Sequence, residues 1–138
     1  MKKILLSLLL TVVFVSCDSF TGKNATEDDL IGETWVLTNI ASLSALRGVE
    51  VTLVFDSENS LSGYTGCNSY ESGYSLDGDS FSVYGVTSSD DSCAENVMDQ
   101  EANYIITLEG AESIQIFGDN LVINSSDAIL NKLKFAKQ

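Results

Sequence analysis

The sequence predicts a mainly β domain, a small antiparallel β-barrel or strongly curved sheet of seven or eight strands, carrying one α-helix over about residues 93–109. Three observations predict it. Short apolar runs alternate with polar residues at period two, which is the mark of half-buried antiparallel strands. Glycine-bearing turns separate several of these runs. A single stretch shows apolar residues at three- and four-residue spacing instead. The composition agrees, because 44% apolar and 20% charged residues in a chain of 138 describe one globular domain, not a disordered chain.

The strand signals run in order from Leu30. Thr34-Trp35-Val36-Leu37-Thr38-Asn39-Ile40 is β-branched and aromatic, and Val51, Leu53 and Phe55 alternate with Glu50, Thr52 and Val54. Tyr74-Ser75-Leu76 and Ser80-Phe81-Ser82-Val83 are joined by Asp77-Gly78, where glycine supplies the positive φ of a tight turn. Ile114 and Ile116, then Leu121 and Ile123, flank Gly118-Asp119-Asn120, and Leu133 and Phe135 alternate with lysines. The helix signal begins at Ser92 and Glu95, a capping box, continues as the stripe Ala94, Val97, Met98, Ala102, Ile105, Leu108, and ends at Gly110 as a left-handed C-terminal residue. The chain has no proline, so its edge strands need charge, bulges or closure for protection, and closure is the economical answer.

Ahead of the domain, Met1-Lys2-Lys3 is followed by an apolar run to Val15 and then Ser16-Cys17. This is the pattern of a signal peptide over residues 1–16, with an apolar segment too short to span a bilayer comfortably. Ser16-Cys17 resembles the lipobox of bacterial lipoproteins, which implies that Cys17 is diacylated, that the peptide is cut before it and that the new amino group is often acylated, with long-chain (palmitate-type) groups. Two or three acyl chains anchor stably, each buried CH₂ contributing roughly 0.8 kcal/mol. Residues 17–29, polar and closing on the acids Glu27-Asp28-Asp29, read as a flexible tether. The expected location is therefore the cell envelope: a bacterial membrane held through lipid on Cys17, with residues 30–138 outside the cytoplasm, in the periplasm or at the cell surface.

Charge and absences narrow the function. Acids outnumber bases 20 to 7, for a formal charge of −13, and loss of residues 1–16 with their two lysines would leave −15. Nucleic acid is a poor partner for such a surface. The chain has no histidine, so Ser-His-Asp triads, Cys-His dyads and imidazole-ligated zinc are excluded. The acid groups Asp56/Glu58, Asp77/Asp79 and Asp90/Asp91 lack the ligand spacing of a calcium loop, and Asp90-Asp91 most simply complements a helix N-terminus. No metal, cofactor or catalytic residue is expected.

Of three cysteines, Cys17 is assigned to lipid. Cys67 and Cys93 remain as an even pair in an oxidising compartment, and a bond across their 26-residue separation would stabilise by roughly 3.5 kcal/mol. Two buried thiols or a thiolate metal site are the alternatives, the latter poor without histidine.

Gly63-Tyr64-Thr65-Gly66-Cys67-Asn68-Ser69-Tyr70, followed by Gly73-Tyr74 and Asp77-Gly78, resembles the G-x-x-G-C-N-x-[YF] core of the META domain, or HslJ-like, family. Trp35-Val36-Leu37 is similar to the family's opening W-x-L, Cys93 to its second cysteine, Gln100-Glu101 with Tyr104 and Leu108 to its helix pattern, and Leu133-Lys134-Phe135 to its closing L-x-F. The chain departs at Asp91-Ser92, where Met-Ala is common. The resemblance covers residues 30–138 and implies a small β-barrel with one helix, frequent on lipoproteins and linked to stress tolerance, envelope integrity or secretion. It brings no catalytic residues. The residues themselves suggest structural roles: Gly63 and Gly66 for a bulge or sharp bend, Asn68 for a left-handed or self-bonded turn, and Tyr64, Tyr70 and Tyr74 for core or a surface aromatic patch. The expectation is a non-catalytic envelope lipoprotein acting through protein contacts. The alternative is an acidic module that captures a small ligand or a basic protein such as a lysozyme.

Overall fold

Alternation places Trp35 and Leu37 on one face of their strand, and a register shift against Lys134/Phe135 brings Ile40 to the same side; the same period recurs in most of the later strands, so each of those has one side to bury. The computed structural model describes residues 21–138. The signal segment, Cys17 and the first residues of the expected tether lie outside the described residues. The elements are β1 Lys23–Asn24, α1 Glu27–Leu30, β2 Thr34–Ile40, β3 Leu43–Ser44, β4 Thr52–Ser57, β5 Ser60–Tyr64, β6 Ser69–Asp77, β7 Ser80–Ser88, α2 Glu95–Glu109, β8 Ala111–Phe117, β9 Asn120–Ser125 and β10 Lys132–Lys137.

Eight of the strands close into an antiparallel barrel in the order β8-β7-β6-β5-β4-β2-β10-β9, with β9 returning to β8. The two-residue strands β1 and β3 sit outside the ring, on β8 and β2. Eight strands leave an interior just wide enough for side chains. Here it is filled: Trp35, Leu53, Phe55, Leu61, Phe81, Ile114, Leu121, Ile123, Leu133 and Phe135 are all essentially buried. Phe55 meets Tyr74 edge-on at 5.1 Å between ring centres, and Phe81 at 6.0 Å. The narrowest seam is β7–β8, which share the single register pair Ser80–Ser113. The chain crosses between these two strands through α2, which packs against β7, β9, β10 and β2.

The expected β fold with one principal helix is the observed one, and Asp77-Gly78 and Gly118 make their turns with φ of +64° and +60°. Several expectations are corrected. The tether does not extend to residue 29: Lys23–Asn24 pairs with Ile116 and Gln115 of β8, and Ala25 and Leu30 are buried in the core. Thr26 and Asp29 form a capping box over α1, and Lys23 pairs with Asp29 at 2.6 Å. Two apolar anchors and a satisfied helix start outweigh the polar composition of this segment.

α2 begins at Glu95, not 93, and Ala94 stands at its N-cap with no side-chain hydrogen bond, so the Ser92/Glu95 box is not formed. Cys93 is instead drawn into a disulfide. The buried face of α2 is Gln100, Tyr104, Thr107 and Leu108, while Ala94 and Ala102 of the expected stripe are exposed. Thr107 is accommodated because its hydroxyl donates to the Asn103 carbonyl at 2.6 Å. Gly110 has φ −84°, so it is not a left-handed cap; a Cβ there would stand 2.5 Å from Ser125 Oγ, a hydroxyl that would have to turn aside. Strand β5 had no alternation signal in the sequence, since Ser60, Ser62 and Gly63 leave Leu61 as its only buried residue.

Candidate functional site

The residues singled out in the sequence converge where the β5–β6 loop meets α2. Gly63 lies within β5, not at a bend: its missing Cβ would sit 2.0 Å from the Thr52 carbonyl oxygen and 2.6 Å from Tyr70 Oη. The space it leaves lets Tyr70 reach across two strands. Tyr70 Oη donates to the Thr52 carbonyl at 2.9 Å. A carbonyl only accepts, so at the 2.6 Å contact between the two phenols Tyr104 donates to Tyr70. The rings meet at 5.7 Å and 64°, and Tyr104 passes the aromatic chain on to Phe135. Burial pushes both phenols well above the usual tyrosine range, Tyr70 further raised by the neighbouring Tyr104. Tyr74 is buried as well, its hydroxyl meeting Glu27 and the Ser57 carbonyl, whereas Tyr64 is exposed. The three tyrosines thus divide two to one between core and surface.

Gly66 turns the loop with φ +92°, held against Val49. Asn68 is not left-handed, contrary to expectation; its side chain carries the loop instead. Its Nδ2 donates to both carboxylate oxygens of Glu101, at 2.9 and 3.0 Å, and lies 3.2 Å from the Asp91 carbonyl. Its Oδ1 accepts from Asp91 N–H at 2.7 Å and from Ser89 Oγ at 2.9 Å. Thr65, fully buried, donates its hydroxyl to Glu101 and accepts the N–H groups of Cys67 and Asn68. The Cys67–Cys93 disulfide closes the same corner, with Cα atoms 5.9 Å apart. The carboxylate of Glu101 is therefore occupied by neutral donors from a loop more than thirty residues away. Asp90 and Asp91 do not lie in the first turn of α2, where the only acid is Glu95; Asp91 contributes its main chain to Asn68.

Thr65, Ser89 and the main chain of Asp91 and Thr52 belong to this corner without having been singled out. Their signal is positional: each is small or contributes main chain; Thr65 meets Asn68 within its own loop, and tertiary packing brings the others to Asn68 or Tyr70. Gln100 faces the other way. Its Oε1 accepts Leu46 N–H at 2.7 Å, and its Nε2 is buried without a partner, as is Trp35 Nε1. Beside the corner, Ser62, Gly63, Tyr70, Glu71, Thr87 and Ser89 line an open polar depression of about 480 Å³. Among the described residues no three His, Cys, Asp or Glu side chains are grouped to hold a metal ion.

Solved structures share this fold. An NMR structure of a protein from Burkholderia xenovorans matches with a TM-score of 0.66 at 19% identity, covering 100% of this chain and 99% of that one. A second NMR structure matches with a TM-score of 0.67 at 14% identity, over 81% and 94% of the two chains. The crystal structure of a DUF4847 family protein from Bacteroides vulgatus gives 0.57 at 12% identity, over 81% and 96%. No curated protein sequence matches significantly. The META domain family model matches residues 27–137, which takes in α1, the G-C-N-x-Y loop, the disulfide and α2, and the chain belongs to the META domain family.

Proposed function

We propose that this protein is a non-catalytic cell-envelope lipoprotein whose META domain acts through protein contacts, in stress tolerance or envelope integrity, and is held to a bacterial membrane by lipid on Cys17. The observation that carries the reading is how the motif residues are used. Asn68, Tyr70, Glu101 and Tyr104 direct their polar atoms at one another, at main chain or at the neighbouring Thr65 and Ser89 hydroxyls, and the barrel interior is packed with side chains. A surface role is what such a domain has left to offer. The cystine between Cys67 and Cys93 suits a compartment outside the cytoplasm. Anchoring is tested by Cys17→Ser: the variant should move from the membrane to the soluble fraction, and continued membrane association overturns the lipid anchor.

A basic partner is favoured by one specific observation, the excess of 20 acids over 7 bases. Crosslinking in intact envelopes followed by capture should recover a cationic protein, and binding should weaken sharply as salt rises past the ~0.1 M range where the screening length is about 10 Å. Salt-insensitive capture would argue for an apolar contact instead.

A further inference from the structure

Trp35 Nε1 and Gln100 Nε2 are both buried and unpartnered, but their surroundings differ. Trp35 is enclosed by the barrel core. Gln100, 8% exposed, forms part of a cleft between the β2–β3 hairpin and α2, together with Ile40, Leu43, Leu46 and Asp99. Leu46 N–H holds Oε1 and so fixes the orientation of the amide. Nε2 keeps its donors unpaired beneath the cleft surface, at a cost of about 1–3 kcal/mol, and an acceptor reaches them as the side chains at the rim give way.

The cleft has a volume of about 190 Å³. Pockets for whole ligands run from ~300 to ~1,000 Å³, so this one suits a side chain of a longer partner and not a free cofactor. Ile40, Leu43 and Leu46 make its apolar side, Ser44, Asn96, Asp99 and Asn103 add polar groups, and Leu43 stands 61% exposed at the rim. Asp99 supplies a carboxylate on an exposed helix position, outside both ion pairs formed among the described residues. Leu43 and Ser44 pair with β2 on one side, and their other edge meets no strand among those described.

We infer that this cleft binds an extended segment of a basic protein. An aliphatic side chain packs on Ile40, Leu43 and Leu46. A main-chain carbonyl of the segment accepts from Gln100 Nε2, and an adjoining lysine or arginine pairs with Asp99. Charge complementarity selects the occupant: a chain at −13 repels acidic segments, and Asp99 beside the cleft favours a cation next to the acceptor that meets Gln100. The inference rests on the reading that the domain works by protein contact, and it names the surface used.

The test is NMR titration of the isotope-labelled full chain in zwitterionic micelles with three capped tetrapeptides, carrying Leu-Lys, Leu-Glu or Gly-Lys at their centre. The Leu-Lys peptide should shift the Gln100 side-chain amide and the Leu46 amide, and bind at least about tenfold tighter than either other peptide, a factor worth about 1.4 kcal/mol. Asp99→Asn should bring the Leu-Lys and Leu-Glu peptides to within about threefold of each other, and Gln100→Leu should weaken Leu-Lys about tenfold. Leu43→Ser, at an exposed position that leaves the core intact, should weaken it comparably. A Leu-Lys peptide that binds but moves only other surface residues overturns the cleft and leaves the basic-partner reading standing. Equal binding of Lys and Glu peptides overturns both, and no binding by any peptide overturns the cleft.

Discussion

Gln100 and Glu101 are consecutive residues of α2, and the two flanks they serve are built on opposite terms. On the Glu101 side, both carboxylate oxygens, both ends of the Asn68 amide and the Thr65 hydroxyl are paired, and a disulfide closes the corner. On the Gln100 side, one end of the amide is held by Leu46 and the other has no partner, next to an aliphatic cleft. A saturated polar network fixes one geometry and leaves nothing for a partner. A half-satisfied one keeps a donor in reserve. The comparison teaches that the most recognisable motif of this chain is its least promising binding surface.

The largest effect should come from breaking the saturated flank at its centre. Asn68→Ala removes the groups that hold Glu101, Ser89 and the Asp91 main chain, and leaves the part-buried Glu101 carboxylate with the Thr65 hydroxyl as its remaining donor. A loss of about 3–5 kcal/mol is expected in urea unfolding. A loss under ~1 kcal/mol would mean that water replaces Asn68 without penalty, and the contrast between the flanks would fail. Next in size is the disulfide. The double variant Cys67→Ala, Cys93→Ala should cost roughly 3.5 kcal/mol by the chain-entropy estimate for the loop it closes. Its protection of the β5–β6 loop from hydrogen exchange should fall more than that of β9 and β10, which lie across the barrel. Uniform loss of protection would show that the bond acts on the unfolded chain alone.

The tyrosine relay gives a smaller and pH-dependent effect. Tyr70 and Tyr104 have raised pKa values, so the folded state holds its phenolic protons above pH ~10, where the unfolded chain releases them. Their contribution is full below that pH and is lost as pH rises past it. Tyr104→Phe should therefore cost about 1–2 kcal/mol near pH 7, and should flatten the alkaline fall in stability between about pH 10 and about pH 12. An unchanged alkaline limb would place the titration elsewhere, Tyr74 being the next buried phenol.

The barrel was legible in the sequence because burial of one face writes itself as alternation: Trp35 and Leu37, Leu53 and Phe55, Ile114 and Ile116, Leu121 and Ile123 all point inward as read. What was not legible depended on partners distant in the chain. Ser92-x-x-Glu95 satisfies the local rule for a helix start, yet Cys93 is bonded to Cys67, Ala94 stands at the N-cap and the helix starts at Glu95. The Thr26-x-x-Asp29 box was present and was masked by the acidic composition around it. Periodicity alone counts Ala94 and Ala102 of α2 as core, while the barrel buries Gln100 and Thr107; the Gln100 Oε1 and the Thr107 hydroxyl find main-chain partners, and Gln100 Nε2 finds none. Gly63 was read as a bend, because the oxygen that occupies its Cβ space belongs to Thr52 on the neighbouring strand. Of the candidate site, the residue types were visible and their allegiance to one flank or the other was not.

The smallest stability effect is also the sharpest test of the comparison. Gln100→Leu removes an amide whose Nε2 is already unpartnered, so the penalty of that buried donor disappears with it. Leu46 N–H loses its acceptor, but Leu46 is only partly buried and water can reach the loop. Burial of an added aliphatic group against Ile40 and Leu46 offsets that loss. The net change expected is within about 1 kcal/mol, against several for Asn68→Ala on the other flank. A large destabilisation by Gln100→Leu, measured by the same urea titration, would show Gln100 to be as structural as Glu101 and would make the two flanks equivalent. A near-neutral result coupled to weakened binding of the Leu-Lys peptide would separate them, assigning stability to one face of α2 and recognition to the other.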